Sequence, residues 1–167
     1  MGPNSMQDEV TNVLDLISSK YDQTFDVSMD QKRRLQIPKR WRSEENGPEE
    51  ELRLLSWLTP DHRENCILVL PPRPCADMAR KISSMPAADP SAESLRRWFG
   101  GNSARVMPDK SGRITIPDQL AAKALIEPEI GAVLVGMNDR FQIWSPELYK
   151  KRITEDEAIW LEASRLL

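Results

Sequence analysis

The chain has 167 residues and a formal net charge of −3, a length that allows one domain or two small ones and a bulk charge that gives no argument for nucleic acid. Two cysteines make no disulfide framework, no apolar run approaches the roughly 18 residues of a membrane span, and the first residues lack the basic-then-apolar order of a signal peptide. The expected class is therefore a cytoplasmic protein away from membranes, whose charge is informative only in its distribution. Gln31–Arg42 holds six basic residues and no acid, residues 1–30 hold six acids and one lysine, and Glu44–Glu51 adds five acids. That asymmetry marks a local cationic surface on an acidic chain.

Residues 1–20 read as an N-terminal extension, whose first five residues, Met-Gly-Pro-Asn-Ser ahead of Met6, have the look of an appended cloning remnant. Val10, Val13, Leu14 and Ile17 share one helical face, predicting a short helix over 8–19. Phe25–Met29 and Leu35–Ile37 follow as two strands around a charged turn. The stretch 43–51, with Asn46-Gly47-Pro48, reads as an acidic loop. Leu52–Trp57 and Cys66–Leu70 are predicted strands. Cys75, Met78, Ala79 and Ile82 then predict a helix near 75–84. Asp89-Pro90 supplies an N-cap and a first-turn proline for a helix carrying Leu95, Trp98 and Phe99, which Gly100-Gly101 ends. Asp118–Leu125 is a further helix, with Asp118 placed where the dipole favours an acid. Val133–Val135 and Phe141–Trp144 flank a turn at Asn138-Asp139. Ser145-Pro146 opens a C-terminal helix, with a second start at Thr154 and Glu157 closing a capping box.

One motif occurs twice, at 30 and again at 109. Asp30-Gln31-Lys32-Arg33-Arg34-Leu35-Gln36-Ile37-Pro38 returns as Asp109-Lys110-Ser111-Gly112-Arg113-Ile114-Thr115-Ile116-Pro117. Such a repeat means two copies of one structural unit. Strand alternation sends Leu35, Ile37, Ile114 and Ile116 to the core and Arg34, Gln36, Arg113 and Thr115 to the polar face. A two-stranded ribbon fits the major groove of DNA, and arginine can grip a phosphate or a guanine edge through two parallel bonds. Lys32, Arg33 and Lys110 lie in the turns. Lys39 and Arg40 would oppose a helix dipole if Pro38 opened a helix, which a nearby polyanion would explain. Arg42 belongs to the same run.

Each signal also has a plainer reading. Asp30 with Arg34, and Asp109 with Arg113, can simply pair across their turns. The cations can form an ordinary solvated face. Trp41, Trp57, Trp98, Trp144 and Trp160 sit at apolar-periodic positions and read as core or subunit contacts. His62, the only histidine, with Cys66 and Cys75 could offer three metal ligands, but cysteines outside a Cys-x-x-Cys pair are more often apolar core residues. No nucleophile–base pair or glycine-rich phosphate loop suggests an enzyme, and no cofactor or metal is called for.

The Asp-x-x-Gly-Arg-Ile-x-Ile-Pro pattern at 109–117 resembles the AbrB-type swapped-hairpin DNA-binding unit. Two such units, with Pro71-Pro72 after a strand and Val133-Leu134-Val135-Gly136 before Phe141-Gln142-Ile143-Trp144, resemble the MraZ family over about 22–152. The resemblance implies a mixed α+β fold: a pseudo-two-fold double-split (swapped-hairpin) β-barrel from two internal repeats, with outer helices. The repeats would span 22–73 and 101–147, with a helical connector at 74–100 and a C-terminal helical segment at 148–167. It implies a nucleoid-associated transcriptional regulator, a repressor and autoregulator of the bacterial division and cell-wall gene cluster. Such a protein binds short direct repeats in double-stranded promoter DNA as a ring-shaped homo-oligomer. DNA-binding residues would be Lys32, Arg33, Arg34, Lys39, Arg40, Lys110 and Arg113, with Asp30 and Asp109 orienting the arginines. The first copy, holding the denser cation cluster, is expected to do the reading. Arg33 stands where the family has glycine, so a changed first turn is expected. The N-terminal extension and the acidic insert at 43–51 are further departures. The alternative is an AbrB-like antitoxin that sequesters a protein toxin through a disordered tail; the helical pattern of the C-terminus argues against it.

Overall fold

The computed structural model describes residues 20–42, 50–59 and 65–167. The helix expected over 8–19, most of the acidic loop and His62 lie outside the described residues. Among the described residues eight strands form: β1 (Thr24–Val27), β2 (Arg34–Gln36), β3 (Leu52–Leu58), β4 (Asn65–Leu70), β5 (Ser103–Val106), β6 (Arg113–Thr115), β7 (Ala132–Gly136) and β8 (Phe141–Trp144). The helices are α1 (Pro72–Ser83), α2 (Pro90–Gly101), α3 (Asp118–Lys123) and α4 (Pro146–Ala163).

The strands assort into two open antiparallel sheets, one of six strands ordered β1-β7-β8-β4-β3-β5 and one of two strands, β2 and β6. Strands β3/β4 and β7/β8 pair within a repeat. The remaining pairs, β1 with β7, β2 with β6, β3 with β5 and β4 with β8, each join one repeat to the other. The expected pairing of β1 with β2 around the first turn reduces to the single bridge Met29↔Leu35. Alternation fixes which face each residue takes but not which strand lies alongside, and here the partners come from opposite halves of the chain.

The six-stranded sheet is covered on both faces, which is why β4 reads as an unbroken apolar run, Cys66-Ile67-Leu68-Val69-Leu70. On one face Leu54, Ile67, Val69, Leu134, Phe141 and Ile143 meet Leu35 and Ile114 of the two-stranded sheet, with Ile37 and Ile116 just beyond its strands, in one buried cluster. On the other, Leu55, Leu68 and Leu70 receive Cys75, Met78, Trp98 and Phe99 from α1 and α2. Cys66, Val133 and Trp144 receive Leu148 and Tyr149 from α4. Cys66 and Cys75 thus pack in different apolar clusters.

Local signals placed the helices well. Pro90 follows the Asp89 cap, whose side chain accepts from Ser91 N at 2.9 Å, and Ser145 caps α4 by accepting from Leu148 N at 3.2 Å. Three details differ from expectation. α1 begins at Pro72, ahead of its apolar stripe. α3 stops at Lys123, because Leu125 takes a left-handed conformation at φ 55°. α4 runs through Thr154 without restarting: the Thr154 hydroxyl donates to Lys150 O, one turn back, at 3.1 Å, a bond that satisfies it inside a continuous helix.

Candidate nucleic-acid interface

The two repeated motifs fold into the same turn. Asp30 N donates to Arg34 O and Arg33 N to Asp30 O; Asp109 N donates to Arg113 O and Gly112 N to Asp109 O. Oδ1 of Asp30 accepts from the N–H groups of Lys32 and Arg34, each at 2.9 Å. Oδ1 of Asp109 accepts from those of Ser111 and Arg113, at 2.9 and 3.0 Å. The second carboxylate oxygen takes the arginine Nε, at 2.6 Å in the first turn and 2.9 Å in the second. Each aspartate therefore pairs with its own arginine across the turn. The backbone N–H of Arg34, with its guanidinium, holds the Asp30 carboxyl below its ordinary value; Arg113 does the same to Asp109.

The first turn keeps its geometry without the family glycine. Arg33 adopts φ 59° where Gly112 has φ 79°, so arginine takes a conformation that only glycine occupies without strain. In the second turn the left-handed residue has a close side-chain neighbour. A Cβ on Gly112 would stand 2.3 Å from Arg42 Cδ.

Pairing of β2 with β6 makes one ribbon out of the two motifs. Arg34 lies opposite Thr115 and Gln36 opposite Arg113, with Leu35 and Ile114 between them facing the core. Both arginines stand on the outward face, on a diagonal of about 7–8 Å, with side chains 31% and 36% exposed. The turns are clamped symmetrically: Ile37 N donates to Gly112 O at 3.0 Å and Ile116 N to Arg33 O at 2.8 Å. The ribbon thus takes one strand from each copy of the motif.

The other cations divide. Lys32 and Lys110 are exposed at the turn tips. Arg33 Nη1 pairs with Asp118 at 2.7 Å, and Arg40 Nη2 with Asp22 at 2.7 Å. Lys39 is exposed in a single 3-10 turn, Lys39–Trp41, that stands where a helix was weighed, and Trp41 is buried. Arg42 was not singled out as a site residue, yet its Nη1 donates to Ser111 O at 3.0 Å beside Gly112. Its place in the cationic run was the available signal; its contact, 69 residues away, was not.

Among the described residues no helix is long and apolar enough to cross a membrane. A family profile described as "MraZ protein, putative antitoxin-like" matches residues 99–165. Transcriptional regulator MraZ of Hydrogenovibrio crunogenus is 33% identical over 123 residues, 74% of this chain and 78% of the relative. The protein of that name from Thermomicrobium roseum is also 33% identical, over 74% of this chain and 80% of the relative. That of Halorhodospira halophila is 30% identical over 81% and 84%.

Proposed function

The chain belongs to the MraZ family, and we propose that it is a transcriptional regulator that binds double-stranded DNA through the β2–β6 ribbon. The observation that carries this reading is the single outward face shared by Arg34 and Arg113, each fixed by its own aspartate. A guanidinium held through Nε keeps its outer edge available for a phosphate or a guanine. Lys32, Lys39 and Lys110 add point charges, and Arg33 and Arg40 contribute charge from within their ion pairs. Asp30 and Asp109 orient and do not contact DNA.

The finer reading follows the family. The interleaved pairing of the repeats at 22–73 and 101–147 is what a double-split barrel requires. Copies of the chain assemble into a ring that engages short direct repeats in the promoter of the division and cell-wall gene cluster, repressing it and the regulator's own gene. Each ribbon then binds weakly and the linked array binds tightly. Fluorescence anisotropy on the DNA upstream of the protein's own gene tests this. Arg34→Ala and Arg113→Ala should each lose about 1–3 kcal/mol of binding, with the fold retained. Wild-type affinity in both variants rejects the assignment. The antitoxin alternative draws on the family description and on exposed Ile159, Trp160 and Leu161 in α4; a small toxin co-purifying with the chain would support it.

A further inference from the structure

The ribbon is nearly two-fold, but its ends are not alike. Because the copies interleave, each motif turn shares its end of the ribbon with the segment that follows the other copy. The first turn, with Lys32, Arg33 and Arg34, meets Asp118 at the start of α3 through the Arg33 pair. Three cations there face two carboxylates, Asp30 and Asp118, a net of +1. The second turn meets the 3-10 segment: Ile37 is bonded to Gly112, Lys39 follows two residues later, and Arg42 lies over Gly112 and holds Ser111 O. Among the described residues, Lys39, Arg42, Lys110 and Arg113 there face Asp109, a net of +3, while Arg40 is turned to Asp22. The copy with more cations in its own turn thus occupies the less cationic end.

This imbalance has a consequence for recognition. A duplex has antiparallel strands, so a ribbon with two equivalent ends would dock on one site in either direction at equal free energy. Direct repeats demand one direction from every copy. We infer that Asp118 and Arg42, which occupy the pseudo-equivalent surroundings of the two turns but lie outside the repeated motif, set the direction in which the ribbon lies on DNA. Arg42 and its neighbours make the Arg113 end the anchor on the phosphates. Asp118 weakens the Arg34 end by holding Arg33 and adding a negative charge. The assignment rests on DNA binding by the ribbon and goes beyond it by naming the residues that break its symmetry.

The test uses a single site enriched by the full-length wild-type chain from a random-sequence duplex library. Block substitutions are made in either half of that site, and affinities are measured for the wild type, Asp118→Asn, Asp118→Lys and Arg42→Gln. In the wild type the two halves should differ in cost. In Asp118→Lys the difference should collapse toward equality, overall affinity should rise, and the logarithmic salt dependence should steepen by about 1–2. Asp118→Asn should lie between, and it retains a polar residue at the start of α3 should the lysine variant unfold. Arg42→Gln should weaken binding and shift the cost toward the other half. An unchanged ratio of half-site costs in both Asp118 variants, or weaker binding by them, overturns the inference. Failure of the wild type to enrich any site removes the DNA-binding reading itself.

Discussion

The two motif turns reach one geometry by different routes, and the comparison separates what the fold demands from what the surface adds. Both need a left-handed residue at the fourth position. In the second turn Gly112 supplies it without strain and leaves room for Arg42. In the first, Arg33 accepts the strain and places its guanidinium on Asp118. Beneath the turns the pseudo-equivalent positions differ again: Trp41 fills the core after the first motif and Leu120 after the second, both buried. Trp41 also donates through Nε1 to Asp22 O at 2.9 Å and lies 5.1–5.6 Å from the rings of Tyr21, Phe25 and Phe141.

The largest expected effect comes from the core side of this comparison. Trp41→Ala should cost about 3–5 kcal/mol and Leu120→Ala about 2–5 kcal/mol, read by denaturant unfolding. A tryptophan loss clearly smaller than the leucine loss would mean that the aromatic cluster is not the keystone of the first half.

The turns themselves come next. Gly112→Ala should lose about 1–2 kcal/mol from positive-φ strain alone, and more if Arg42 is displaced. Arg33→Gly relieves that strain but frees the unfolded chain and removes an exposed ion pair, so it should stay within about 1 kcal/mol of the parent. Equal losses at the two positions would show that the turns are not energetically distinct.

The smallest effect is that of acid. Because the folded-state carboxyls of Asp30 and Asp109 sit below their ordinary 3.8, their contribution is complete above that value and lost as pH falls through the lowered one. Amide resonances of Lys32 and Ser111 should report midpoints below 3.8, and Asp30→Asn should abolish the titration of the first only. A midpoint at or above 3.8 would contradict the hydrogen-bonded geometry of the turns.

Much of this was readable from residues close in sequence. Apolar spacing located the strands, Asp89-Pro90 and Ser145-Pro146 marked helix starts, and the repeated Asp-x-x-x-Arg spacing picked out the arginines. What was not readable is whatever joins residues far apart. Leu35 declares that it faces a core, but nothing in it names Ile114 as its neighbour. The Arg33–Asp118 and Arg42–Ser111 contacts span 85 and 69 positions. Thr154-x-x-Glu157 misled for the opposite reason: a capping pattern is local, and inside an established helix the same hydroxyl is satisfied one turn back.

The interleaved strand pairing also bears on how the molecule is made. When the first half leaves the ribosome, β1 and β2 have no partners, since β7 and β6 are still to be synthesised. At about 5–20 residues per second, the wait from Gln36 to its partner Arg113 lasts roughly 4–15 s. For that interval the nascent chain carries Leu35 and Ile37 without the neighbours that will cover them.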